Sequence, residues 1–556
     1  MLSPADFFGG LYGKIKREWK LAFLSCFLLG LLVHMPVLLS DIPNHDGLDS
    51  MYFDQNMITS GRWFLTVACG FSSYFTVPWV IGIIGLFFLG CGAAALCEFL
   101  EIRQGWAIVL CSGLLVTFPA LCATFAYVFT LDGYMLALLL AVLAALFTKK
   151  YRLGFLPGAI CLAFSMGTYQ AYLAVTMILS VFAVLELFVA GEEKFARLAF
   201  ASGGKDGDAK RKADFRARFL SALHYLYMGV IGVGLYYGLL QLLLWVQGKE
   251  LAGYQGIDGM VSGAAAESGL LFTLVKMYKD FVGFTFGGNV LFQNIFTLIA
   301  CVVLALAVFG TAIFAVGERK WWKNPIAFVI IGVMVLVMPV ITNIILLVSP
   351  NVTYHLLMRY QWVLFLIGAV ALASNVSGTE TIAVGEAVSD EKAENHKRVW
   401  PFVIQWCACV AAFVLVFGYA VTDNIAYSNL QKKYEKTYAY CMRLLDRIEQ
   451  TEGYYHGIPI AMIGVVGNEQ FPTTDLTGGV TSNIIGMNGD YLLYTGVNYR
   501  EFMEHYLGAT LNILPAEAMG EMYYSEEYTA MDSFPGENSI RIIDGVMYIK
   551  TENTTR

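Results

Sequence analysis

The sequence predicts an all-α polytopic membrane protein of about eleven transmembrane helices, with a small C-terminal α/β domain outside the membrane. Three observations predict it. The 556 residues are 57% hydrophobic and only 14% charged, where soluble domains carry about 25% charged residues. Runs of about twenty mostly apolar residues recur, each long enough to cross a hydrocarbon core about 30 Å thick. After residue 423 the composition changes to a polar and apolar mixture.

The expected spans are 20–40, 76–98, 105–124, 131–148, 154–168, 169–190, 219–247, 292–316, 326–348, 359–375 and 400–421. The first follows a basic start, "GKIKREWK", and has no A-x-A-like cleavage site, so it reads as a retained span. The pair 154–190 reads as two short helices meeting at "GTYQAY", or as one long kinked helix. Lys and Arg set the orientation. With the N-terminus cytoplasmic, the inner segments hold 22 of them and the outer loops five; nine more lie beyond residue 423. This split favours an inner N-terminus, and eleven spans then put the C-terminus outside.

Two domains are expected, 1–423 in the membrane and 424–556 outside it. In the second, "NLQKKYEKTYAYCMRLLDRIEQ" has helical periodicity with Tyr434, Tyr438, Met442 and Leu445 on one stripe. "IPIAMIGVVG" reads as a buried strand, and "SIRIIDGVMYIK" as a hairpin around Asp544-Gly545. Segments 191–218 and 376–399 are cytoplasmic loops rich in charge, Gly and Ala.

Some function classes are excluded early. A net charge of −7 gives no sign of a nucleic-acid partner. The eleven cysteines are scattered, mostly within apolar runs, and no pair has zinc-ligand spacing. They read as small buried hydrophobes. No P-loop occurs.

Chemistry is expected at the outer face. "NHDGLDSMYFDQNMITSGRWF" falls in the first outer loop. Read as a helix over 46–60, it places Asp46, Asp49 and Asp54 within an arc of about 140°. Leu48, Met51, Tyr52, Gln55 and Ile58 fall opposite, so the segment reads as an interfacial helix with its apolar side on the lipid. An ordinary loop helix with solvated acids is the plainer alternative. His45 and Arg62 flank the acids.

Three further features share that compartment. Lys276 and Lys279 lie one helical turn apart in "LVKMYKDFVGFTFGGN". His355 and Arg359 stand at i, i+4 at the mouth of a span, where an arginine often just snorkels to the interface. Tyr169 and Gln170 occupy an outer span edge, and polar residues within a bilayer usually face a cavity or one another. An acidic loop beside several cations at headgroup level suits one reaction. An aspartate acts as general base on a hydroxyl, while Lys and Arg hold a lipid-borne phosphate as it leaves. A transporter or flippase for a lipid-linked saccharide is the alternative; it predicts ionisable residues at mid-span. The spans contain Asp132, Glu186 and His224, but Asp132 and Glu186 lie near span ends.

These residues resemble the GtrII-type glucosyltransferase family, within the GT-C class of polytopic glycosyltransferases. The resemblance rests on "HDGLDSMYFDQNMITSGRWF", "GTYQAYL" and "FPALCATFAYVFTLDGYMLALLLAVLAAL". It implies a GT-C-like fold in a bacterial cytoplasmic membrane. It also implies inverting transfer of a hexose, typically glucose, from a polyprenyl-phosphate carrier such as undecaprenyl phosphate to a cell-surface polysaccharide. GT-C enzymes place a catalytic acid in the first outer loop. By position that is Asp46, with Asp49 or Asp54 as alternatives. Arg359, Lys276, Lys279 and Arg62 are then expected near the donor phosphate, with His45, Tyr169, Gln170 and His355 around the substrate. Many relatives carry an adjacent Asp-Asp pair here, whereas Asp46 is followed by Gly47. A divalent metal finds no support in ligand spacing.

Overall fold

The structure, a computed structural model, describes residues 3–43, 45–49, 57–70, 77–191, 194–195, 215–251, 269–318, 325–349, 352–376, 391–463, 493 and 496–551. For His45 and Asp49 only the backbone is described.

Apolar sequence becomes helix wherever it is long enough to satisfy its own backbone in lipid. A short amphipathic helix, α1 (Pro4–Lys14), precedes α2 (Arg17–Leu38). The first-loop helix α3 (His45–Asp49) and α4 (Leu65–Ala68) follow. The bundle continues with α5 (Pro78–Phe99), α6 (Gly105–Thr117), α7 (Pro119–Phe125), α8 (Leu131–Lys150), α9 (Phe155–Thr168) and α10 (Leu173–Val189). After it come α11 (Phe215–Gln247), α12 (Leu270–Gly287), α13 (Ile295–Glu318), α14 (Pro325–Thr342), α15 (Ile345–Val348), α16 (Val363–Ser374) and α17 (Glu391–Glu449).

Among the described residues eight helices are long and apolar enough to cross a membrane, or nine if α6 and α7 form one bent span. Two of the eleven expected spans, α9 and α14, are shorter apolar helices. Of the two readings of 154–190, the structure has the two helices, and the other departures are local. The segment 154–190 is two helices, because Tyr169 adopts an extended backbone (φ −154°, ψ 108°) between them. The span expected over 105–124 is bent by 50° at Phe118–Pro119, where proline has no N–H to continue the ladder. The segment 248–291, expected as an outer loop, contains an 18-residue helix, α12.

Glycines bring α2 and α5 together. A Cβ at Gly82 would collide with Leu38, one at Gly30 with Leu86, and one at Gly90 with Phe23. Small residues allow such close approach where burial against lipid offers no driving force. One end of the bundle is tied by ion pairs. Glu98 meets Lys16 and Lys150, and Glu186 meets Lys149 and Lys194. The opposite end carries the loops 39–43 and 57–70, the α9–α10 junction and the start of α16.

The C-terminal segment forms a three-stranded sheet of order β1-β3-β2. β1 (Ile460–Ile463) runs parallel to β3 (Val546–Lys550), and β2 (Ile540–Ile543) antiparallel to it. Asp544 (φ 49°) and Gly545 (φ 78°) make the two-residue turn, whose left-handed backbone matches the strand twist. Helix α18 (Gly496–Leu507) covers the sheet region. The stripe expected on α17 needs correction. Tyr434 and Leu445 pack against the core as expected, but Tyr438 and Met442 are exposed, and the fully buried face is Tyr440, Cys441, Leu444 and Ile448. The sheet packs one helical position round from the predicted face.

A candidate active site at one end of the helix bundle

The first loop returns to the bundle through a tight turn. The Arg62 N–H reaches the Met57 carbonyl (2.7 Å), and the Gly61 N–H reaches that of Ile58 (2.9 Å). Gly61 has φ +76°, so the turn closes through a left-handed glycine. Residues 50–56, and with them Asp54, lie outside the described residues.

That turn is tied to "GTYQAY". The Phe64 N–H donates to the Gly167 carbonyl (2.7 Å). Gln170 Nε2 donates to the Ser60 carbonyl (3.1 Å) and to Tyr236 Oη (3.2 Å), which in turn donates to the Gly61 carbonyl (3.1 Å). Trp63 lies over Gly167, so close that a Cβ there would stand 2.5 Å from its ring. The two motifs that looked alike in chemistry are therefore one structural block. Gln170, expected at the substrate, uses its amide to hold the turn.

Aromatic rings link the two arginines. The Arg62 guanidinium lies 5.5 Å from the Tyr169 ring centre, and its Nη1 is 3.4 Å from Tyr134 Oη. Tyr169 stacks on Tyr134 at 4.3 Å. Tyr172 stands edge-on to Tyr169 at 5.3 Å and to Tyr360 at 6.5 Å. Arg359 immediately precedes Tyr360 in the chain. Tyr169 is buried (3% exposed), so it acts as packing in this path.

Arg359 forms a bidentate pair with Asp280 on α12, at 2.6 and 2.7 Å. Its Nε donates to the Tyr354 carbonyl (3.3 Å). Tyr354, Phe284 and Trp362 surround the guanidinium, with ring centres at 3.7, 4.6 and 5.7 Å. Such cages favour the planar, weakly hydrated arginine head. Burial pushes the Tyr354 hydroxyl up, against the lowering effect of Arg359 beside it. Arg359 does not snorkel: it is 8% exposed. Lys276 and Lys279 share α12 with Asp280, whose carboxylate pairs with Arg359. Lys279 is exposed and Lys276 half-buried; His355, also half-buried, opens the 3-10 turn that presents Arg359.

The break in α6–α7 is sealed from the same neighbourhood. Pro119 cannot bond the Leu115 carbonyl, and Tyr360 Oη donates to it instead. His34 Nε2 meets the Val116 carbonyl at 2.9 Å, and its Nδ1 meets Tyr427 Oη. Nearby, Asp423 on α17 is fully buried, with the Cys122 thiol beside it.

Asp46 sits half-exposed on α3, with Asp49 and His45 on the same short helix. Its surroundings correct one expectation. Leu48, assigned to the lipid-facing side, is fully buried in the core of the C-terminal unit instead. Sequence reasoning missed Asp280, Tyr354 and Asp423. Only Asp280 had a signal, as an acid within one turn of two lysines.

A model of the glucosyl transferase GtrII family matches residues 35–372. The match covers more than half of the chain and contains the turn, "GTYQAY", α12 and Arg359. The chain belongs to that family, and it is a membrane glycosyltransferase. No curated protein and no solved structure is detectably similar to it.

Proposed function

We propose that this glycosyltransferase moves a hexose, glucose by family, from a polyprenyl-phosphate carrier to a cell-surface polysaccharide. The reaction takes place at the outer face of a bacterial cytoplasmic membrane, with the N-terminus inside. The observation that supports it best is the cation group on α12 and Arg359, at the bundle end that also carries the first loop.

In this reading Asp46 accepts the proton of the acceptor hydroxyl, with Asp49 and Asp54 as the alternatives. The hydroxyl oxygen attacks the anomeric carbon from the face opposite the carrier, which inverts it. The bond from that carbon to the carrier phosphate breaks, and the electron pair leaves with the phosphate. Lys276 and Lys279 meet the growing charge, and Arg359, held by Asp280, adds a fixed cation. Arg62 braces the loop through Tyr134 and Tyr169. The phosphate ester supplies the driving force, so no nucleoside triphosphate is needed outside the cell.

The test is transfer by the purified full-length protein from a polyprenyl-phosphate glucose donor, with mass spectrometry of surface polymers in cells with and without the gene. Asp46→Asn is expected to abolish transfer at normal expression. Full activity in that variant would move the base to another residue. Movement of the carrier across vesicles with its sugar retained would replace the transferase reading by a flippase.

A further inference from the structure

The C-terminal unit has a hydrophobic core drawn from residues 434–549, with one exception among the described residues. That exception is Leu48 of the first loop, which is fully buried there. Helix α3 lies against α18, and Leu48 joins the cluster containing Phe502 and Met503.

A second proximity agrees with the first. Asp41, between α2 and α3, is close enough to Tyr506 of α18 for its charge to add to the burial that raises that hydroxyl. Tyr506 stacks on Phe502 at 5.0 Å, and Tyr434 stands edge-on to both. The first loop therefore touches the unit at Leu48 and approaches it at Asp41.

The geometry also determines what this contact does to the acids. Residues two apart on a helix point about 160° away from each other. With Leu48 turned into the C-terminal core, Asp46 is turned away from it. Helix α17 runs without interruption from Glu391 to Glu449, so the core that receives Leu48 is carried on the same rod that packs in the bundle against α13 and α6. The loop acids are thereby referred to the membrane part through a rigid path.

We infer that the unit of residues 434–550 is a clamp on the first loop, and that the transferase site is incomplete without it. Leu48 is a positioning residue: it touches no substrate, and it sets where Asp46 stands. This rests on the role proposed above for the first-loop acids.

The experiment uses the full-length protein in detergent. Leu48→Ala and Phe502→Ala are each expected to lower kcat about 10- to 100-fold, as small misplacements of catalytic groups do, with donor KM nearly unchanged. The double variant is expected to be no worse than either single one, because both remove the same contact. Leu48→Met is expected to restore most of the rate. Amide exchange reads the docking without activity: residues 45–49 should exchange faster in Phe502→Ala, while α2 and α5 stay protected. Wild-type kcat in both single variants, additive losses, or unchanged exchange at 45–49 would overturn the clamp. A wild type that transfers no sugar would defeat the proposed function instead, and the exchange measurement would still decide the docking.

Discussion

Arg359 and Asp280 meet fork to fork across 79 positions of sequence, with Nη1 2.6 Å from Oδ2 and Nη2 2.7 Å from Oδ1. Both side chains are largely buried, at 10% and 24% exposure. Removing the acid leaves the guanidinium uncompensated among aromatic rings. Asp280→Ala is therefore expected to lower stability by about 3 kcal/mol, read as an earlier thermal unfolding in detergent. Arg359→Lys keeps the charge and loses the fork, so transfer should fall about tenfold in a protein that still folds. Unfolding of Asp280→Ala at the wild-type temperature would show that the pair holds nothing in place.

Gly167→Ala tests the tie between the first loop and the α9–α10 junction. The new methyl would stand 2.5 Å from the Trp63 ring, so the turn 57–70 must shift. A loss of about 1–3 kcal/mol is expected from overpacking, with a larger fall in transfer rate than stability alone explains. Gly234→Ala, on α11 with open space around it, is the control and should be silent or slightly stabilising. Equal activity in the two variants would mean that the turn does not position the site.

Tyr360→Phe tests the sealed break. It leaves the Leu115 carbonyl without a donor in an apolar setting, at a cost of about 1–3 kcal/mol. His34→Phe should do the same at the Val116 carbonyl. Thermal unfolding in detergent measures both, and a neutral result would mean that water reaches the break.

What could be read from sequence followed the range of the forces involved. The apolar runs and the polar interruption at "GTYQAY" are local signals, since a helix in lipid satisfies its own backbone. Pro119 marks the break in the third expected span, yet only the tertiary partners Tyr360 and His34 show how it is tolerated. The hairpin at Asp544-Gly545 is likewise local. Asp280 was not legible as a partner of Arg359, because beside Lys276 and Lys279 it looks like one more polar residue of an amphipathic helix. Leu48 misled for the same reason. An apolar position on a loop helix reads as lipid-facing until a distant chain segment is known to cover it. Of the candidate site, then, the cations and the loop could be found, while the contacts that fix their positions could not.

Helix α17, 59 residues without a break, makes the protein sensitive to phase. Each residue added to an α-helix turns everything beyond it by about 100° and lifts it by about 1.5 Å. A single alanine inserted between residues 424 and 433 would thus swing the receiving core of the C-terminal unit away from Leu48, although no contact in the bundle or in the sheet had been altered. The length of this rod, more than the identity of its exposed residues, is what sequence drift cannot change without cost.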